Sequence, residues 1–151
     1  MADSSVGVET RKTVLFLCTG NYYRSRFAEE LFNHHAERAG LDWTAQSRGL
    51  ALERGGHNVG PISPFALHAL KKLAITARSA DRLPQQCTAA DLASADVVVA
   101  VKEAEHRPLM RQRLRNGNIG STTGTYMTSR TRHPRKRCSC LRGKYGRSYY
   151  G

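Results

Sequence analysis

Hydrophobic positions along the chain fall into short continuous apolar runs that alternate with stretches spaced for helices. Thr13-Val14-Leu15-Phe16-Leu17 is such a run, rich in strand formers and ending at Cys18, which predicts a buried strand. Ser25 then opens a segment with Phe27, Ala28, Leu31, Phe32 and Ala36 at helical spacing. Glu29 and Glu30 are expected near the end of that helix where the dipole favours acids, and Gly40 closes it. Trp43 to Ser47 predicts a second strand, ended by Gly49. Residues 53–63 form a Gly/Pro-containing loop, and Phe65, Leu67, Leu70 and Leu73 predict a helix over 64–73. Ile75 to Ala77 reads as a short strand and 89–92 as a helical turn. Ala95 to Val101 carries the strongest strand signal, and Lys102 to Leu114 reads as a helix with Pro108 near its start. Strands alternating with helices, the strands being continuous apolar runs, imply a parallel sheet covered on both faces. After Leu114 the pattern stops. Residues 115–151 hold no sustained period of 2 or 3.6, and no element is assigned there.

The chain has 151 residues, which suits a single domain with a real core. No run of 18 or more apolar residues exists, so no membrane helix is expected. Residues 1–12 lack an apolar core of signal-peptide length, and a cytoplasmic location is expected. Cys18, Cys87, Cys138 and Cys140 are too few and too unevenly spaced for a disulfide framework, so Cys18 is expected as a free thiol. The net charge of +12 is distributed unevenly. Residues 1–105 hold 12 Lys and Arg against 12 Asp and Glu, whereas residues 106–151 hold 12 Lys and Arg and no acid, so 0 + 12 = +12. The loss of acids and the loss of periodicity begin close together.

The segment with candidate chemistry is Cys18-Thr19-Gly20-Asn21-Tyr22-Tyr23-Arg24-Ser25, set between the first strand and the first helix. Five residues between cysteine and arginine can curl so that their backbone N–H groups converge on one anion. The helix N-terminus adds free N–H groups and its positive dipole end. Arg24 can hold two phosphoryl oxygens through its planar fork. Gly20 is expected to supply a backbone angle that a side chain would oppose. The same field favours a thiolate nucleophile at Cys18, with Ser25 donating a hydrogen bond to it. The competing reading is an ordinary buried cysteine at a strand end. The strand–loop–helix setting, Gly20 and Ser25 favour the nucleophile.

Leu17 to Ser25, followed by Phe27-Ala28-Glu29, resembles the low-molecular-weight protein tyrosine phosphatases, whose signature is Cys-x-Gly-Asn-x-x-Arg-Ser near the N-terminus. Ser47-Arg48-Gly49 is similar to the family's Ser-x-Gly after the second strand, and 91–101 to its Asp-Leu…Ala-Asp strand. The resemblance spans about residues 12–114. It implies an α/β fold of the phosphatase I-like kind, with a small four-stranded parallel sheet flanked by helices. It also implies hydrolysis of protein phosphotyrosine or small aryl phosphates through a phosphocysteine. Cys18 would be the nucleophile and Arg24 the phosphate clamp, Asn21 would hold the loop's shape, and Ser25 would support the thiolate. Thr19, Gly20, Tyr22 and Tyr23 complete the substrate-binding loop. No metal or other cofactor is expected. Two departures stand out. Tyr23 occupies the place where many members have a second, protective cysteine, and Arg26 a place where many have proline.

Hydrolysis of a phosphomonoester needs a proton for the leaving oxygen. In the family a later aspartate supplies it, yet Glu105 is the last acidic residue of this chain and no aspartate follows Asp96. Codons can be chosen for Arg115 to Ser129 so that the frame one nucleotide earlier encodes an acidic, aromatic and periodic segment. Residues 115–151 are therefore read as an out-of-frame or disordered basic tail attached to a C-terminally incomplete domain over 12–114. A domain without its last strand, last helix and acid loop is expected to fold marginally and to protonate leaving groups poorly. Two other readings of the tail are weaker. The stretch 130–137 could bind nucleic acid non-specifically, and His133, Cys138 and Cys140 match known metal spacings poorly. Alternatives to the phosphatase are an arsenate reductase-like enzyme, with Cys87 the only resolving thiol outside the tail, and a non-catalytic anion- or phosphoprotein-binding remnant. The six histidines are scattered and are read as surface or core residues.

Overall fold

The structure, a computed structural model, describes residues 11–115 and 125–128. The basic stretch 130–137, His133, Cys138 and Cys140, and most of the segment read as out of frame lie outside the described residues. Elements follow in the order β1 (Lys12–Cys18), α1 (Arg24–Arg38), β2 (Trp43–Gly49), α2 (Pro64–Lys72), α3 (Ala89–Ser94), β3 (Val97–Ala100), α4 (Glu103–Arg115) and β4 (Thr125–Thr128), with one 3-10 turn at Leu52–Gly55. The strand order is β2-β1-β3-β4, and each neighbouring pair is parallel. In register, Leu15 lies beside Gln46 and Val98, and Leu17 beside Arg48 and Ala100.

Alternation along β1 sorts its side chains between two layers. Leu15 and Leu17 are buried with Leu50, Leu92, Val98 and Leu109 in a cluster that includes Cys87. Phe16 faces the other layer and meets Phe32 of α1 edge to face, ring centres 5.9 Å apart. Burying each of the large apolar side chains of the cluster contributes about 2 kcal/mol, and the half-buried Phe16–Phe32 contact adds to this on the other face. The chain winds from β1 through α1 to β2 on one side of β1, then crosses to β3 on the other. This leaves a switch point between β1 and β3, and the crevice beyond the strands' carboxyl ends there is where doubly wound sheets bind ligands. Cys18 ends β1 at that edge.

Three elements differ from the sequence expectation. Residues 75–77 form no strand, because they are committed to ending α2: Ile75 N–H donates to Leu70 O at 3.0 Å and Ala74 adopts φ +56°. β3 is shorter than the apolar run, because Ala95 terminates α3 and the Asp96 carboxylate accepts the Thr13 N–H at 2.7 Å. β4 supplies a fourth strand within a segment that showed no period, with Val97 opposite Thr125 and Ala100 opposite Thr128. Among the described residues, no helix is long and apolar enough to cross a membrane.

Candidate active site

The loop between β1 and α1 is held from outside by its carbonyls. Cys18 O accepts from Leu50 N, Thr19 O from Ala51 N, Tyr22 O from Ser63 N and Tyr23 O from Phe27 N, all at 2.8–3.0 Å. In a trans peptide the N–H points opposite to the C=O, so the following N–H groups, those of Thr19, Gly20, Tyr23 and Arg24, turn away from these partners. A loop with outward carbonyls presents donors on its inner side, as an anion site requires. Gly20 has an ordinary φ, contrary to expectation. The Asn58 side chain packs on it: a Cβ there would lie 3.0 Å from Asn58 Nδ2. The left-handed residue is Asn21, at φ +46°. Asparagine tolerates that region better than most residues, and its side chain explains the choice.

Asn21 is fully buried. Its amide nitrogen donates to Ser25 Oγ at 3.1 Å and to Ser47 Oγ at 2.9 Å, and its carbonyl accepts Gln85 N–H at 2.9 Å. Ser47 Oγ donates its own hydrogen bond to Glu29 Oε2. Arg82 donates to Glu29 through both terminal nitrogens, at 2.9 and 2.7 Å, and to Ser47 Oγ at 2.9 Å. Ser25 Oγ, which accepts from Asn21, also lies 3.0 Å from Cys18 Sγ. The polar chain thus ends in a hydroxyl in hydrogen-bond contact with the sulfur. Glu29 and Glu30 lie in the N-terminal half of α1, near the end where acids are expected. They are buried in its second turn, where Glu30 accepts the Arg78 and Ser79 N–H groups at 2.9 and 2.8 Å. Arg26, at the place of the family's proline, is buried beside them. It donates to the Arg82 carbonyl at 2.9 Å and to the Ser79 carbonyl, and burial pulls its guanidinium below its usual range.

Arg24 begins α1, and its Nη1 and Nη2 donate to Glu105 Oε2 and Oε1 at 2.8 and 2.7 Å. Thr19 Oγ1 also donates to Glu105 Oε1, at 2.6 Å. Bonds from Arg24 and Thr19 hold the Glu105 carboxyl far below the usual carboxylate range. Its neighbour His106 is buried, and its Nδ1 accepts the Lys102 N–H at 3.1 Å. Burial, reinforced by the Arg24 cation, lowers His106 to about 4. Tyr22 reaches across to donate to Val59 O at 2.7 Å, and Tyr23 is 44% exposed at the start of α1. The structure therefore brings all eight loop residues of the sequence reading together. It adds Ser47, Glu29, Arg82 and Glu105, of which Ser47 and Glu29 stood in a recognised pattern. Among the described residues, no cluster of three or more His, Cys, Asp or Glu side chains could hold a metal ion.

The family model for low molecular weight phosphotyrosine protein phosphatase matches residues 13–134. The chain belongs to this family. Among curated relatives, it is 36% identical over 99 residues to the protein-arginine-phosphatase of Bacillus subtilis (strain 168), covering 64% of this chain and 59% of the relative. The chain thus matches under two thirds of that relative's length. Among solved structures, it is similar to YfkJ from Bacillus subtilis (27% identity, 81% of this chain and 72% of that one, TM-score 0.63). It is also similar to the low molecular weight protein tyrosine phosphatase from T. tengcongensis (34% identity, 73% and 72%, TM-score 0.58).

Proposed function

We propose that the chain is a phosphomonoester hydrolase working through a phosphocysteine at Cys18. The observation that carries this is the hydrogen-bond contact of Ser25 Oγ with the Cys18 sulfur, at 3.0 Å, in a loop whose carbonyls are tied outward. The Cys18 thiolate attacks phosphorus, an S–P bond forms and the P–O bond to the leaving group breaks. Inner-side N–H groups and the Arg24 guanidinium hold the equatorial oxygens. Water then attacks phosphorus, the S–P bond breaks, phosphate departs and the thiolate returns.

The preferred substrates are aryl phosphates, protein phosphotyrosine included. Tyr22 and Tyr23 border the loop and offer aromatic surface. A phenolic leaving group, with pKa about 10, needs less proton assistance than an alkoxide. That matters because the carboxylate bonded to the loop, Glu105, is held ionised and is no proton donor. The lack of acids after Glu105 supports reading 115–151 as out of frame, which sequencing of the coding region tests. A phosphoarginine side chain is the second substrate reading, favoured by similarity to a protein-arginine-phosphatase.

The test is hydrolysis of p-nitrophenyl phosphate, a phosphotyrosine peptide and a phosphoarginine peptide. Cys18→Ser should abolish turnover. Arg24→Ala should lower kcat/KM about 10²- to 10³-fold, the range for losing a preorganised charge-stabilising donor. Turnover that survives Cys18→Ser would refute the mechanism, and faster turnover of the phosphoarginine peptide would replace the aryl reading.

A further inference from the structure

We propose that Glu105 is a positioning residue that fixes the guanidinium of Arg24 for oxyanion binding, an inference that rests on the anion-binding role given to the loop above. Arg24 and Glu105 lie 81 residues apart in sequence, yet their contact has the geometry of a preorganised clamp. Each terminal nitrogen of Arg24 donates to a different carboxylate oxygen, at 2.8 and 2.7 Å. Two parallel bonds of this kind define the plane of the guanidinium as well as its place. An arginine has five N–H donors. The two used here leave three, Nε–H among them, for an oxyanion, so the carboxylate orients the fork without exhausting it.

Glu105 is itself anchored from three directions. Thr19 Oγ1 donates to Oε1 at 2.6 Å, which ties the carboxylate to the loop directly after Cys18. Lys102 Nζ lies 3.2 Å from Oε2 and offsets part of its charge. Glu105 also sits in the first turn of α4, where a negative side chain is favoured by the helix dipole. One carboxylate thus links the N-terminal end of α1, the loop and the N-terminal end of α4 across the switch point. A free arginine side chain loses considerable rotamer freedom when it closes on a ligand. In this site that ordering is complete before the ligand arrives, so binding should be tighter.

A carboxylate facing Arg24 could instead act as a competitor that an incoming phosphate must displace. The two roles give opposite signs. The experiment measures inorganic phosphate binding by isothermal titration, together with p-nitrophenyl phosphate kinetics, for the full chain and for Glu105→Gln, Glu105→Ala and Glu105→Asp. Positioning requires phosphate affinity about tenfold weaker in Glu105→Ala and Glu105→Gln. It also requires kcat to fall more than KM rises, because the oriented fork is used most fully in the transition state. Partial recovery is expected in Glu105→Asp, which keeps the charge. Far-UV circular dichroism and melting temperature should stay close to wild type, since Glu105 is one-third exposed. Unchanged or tighter phosphate binding in Glu105→Gln would overturn the proposal, and tighter binding would identify the carboxylate as a competitor. A wild type that binds phosphate but hydrolyses nothing would sink the enzymatic reading alone, and the binding comparison would still decide this one. A wild type that binds no phosphate would overturn both.

Discussion

Asn21 carries more of the loop than any other single residue. It accepts a left-handed backbone and spends its amide on Ser25, Ser47 and the Gln85 backbone. Asn21→Ala should lower stability by about 2–3 kcal/mol in urea unfolding, because buried partners lose their bonds. It should also lower kcat, because Ser25 is no longer held against Cys18. Asn21→Gly, which keeps the backbone and loses the same bonds, should recover only part of the stability. Cys87 makes the opposite case. It is buried and its thiol is pushed up to about 12, chiefly by burial, with the nearby Asp91 carboxylate adding to it. Iodoacetamide at neutral pH followed by peptide mapping should therefore leave Cys87 unlabelled in the folded chain and labelled in urea. Such a thiol is a poor resolving partner for Cys18, which argues against arsenate reductase chemistry.

Between elements, the contacts that matter are close approaches and buried polar pairs. Gly49, at the end of β2, sits against the loop: an added Cβ would lie 3.0 Å from Thr19 O and 3.1 Å from Asn21 N. Both are backbone atoms and cannot swing aside. Gly49→Ala should cost about 1–3 kcal/mol by overpacking and should weaken phosphate binding in the same titration. α4 presents His106 to the interior as a neutral ring. An unfolded histidine takes up its proton near pH 6.5, whereas the folded ring does so only near 4. Over that window the unfolded state binds more protons, so stability falls as pH drops from about 6.5 to about 4 and then levels. The loss is on the order of 3 kcal/mol. Thermal melts across this range should show it, and His106→Asn should flatten the curve relative to wild type.

For the whole molecule, the deciding feature is the edge of the sheet. β3 pairs with β1 on one side and β4 on the other. A chain ending at Arg115 would leave the β3 edge unpaired, its ladder open to water or to other chains. Its urea midpoint should fall clearly below that of the full chain, and aggregation should rise with concentration in light scattering. Equal midpoints would mean that Thr125–Thr128 contributes nothing to stability. Charge is organised on the same scale. The balanced part, residues 1–105, contains the loop, Glu105 and every carboxylate, while the rest is wholly basic.

The candidate loop Cys18–Ser25 was legible in the sequence because its pattern is local. A cysteine, an arginine after five intervening residues, a preceding apolar run and a following helix lie within one stretch of chain. The parallel sheet was legible for a similar reason, since strands covered on both faces must be apolar throughout. The fourth strand was not, because backbone pairing in register needs no side-chain period and four residues are too few to display one. Nor did the sequence reveal what packs on Gly20, which partners bury Glu29 and Glu30, or what holds Arg24. Those depend on Asn58, Arg82, Ser79 and Glu105, which are distant in the chain and meet the loop only once the sheet has formed. The sequence by itself determined the candidate nucleophile and clamp. Only the tertiary structure decided how they are held, because orientation depends on long-range bonds that no local pattern encodes.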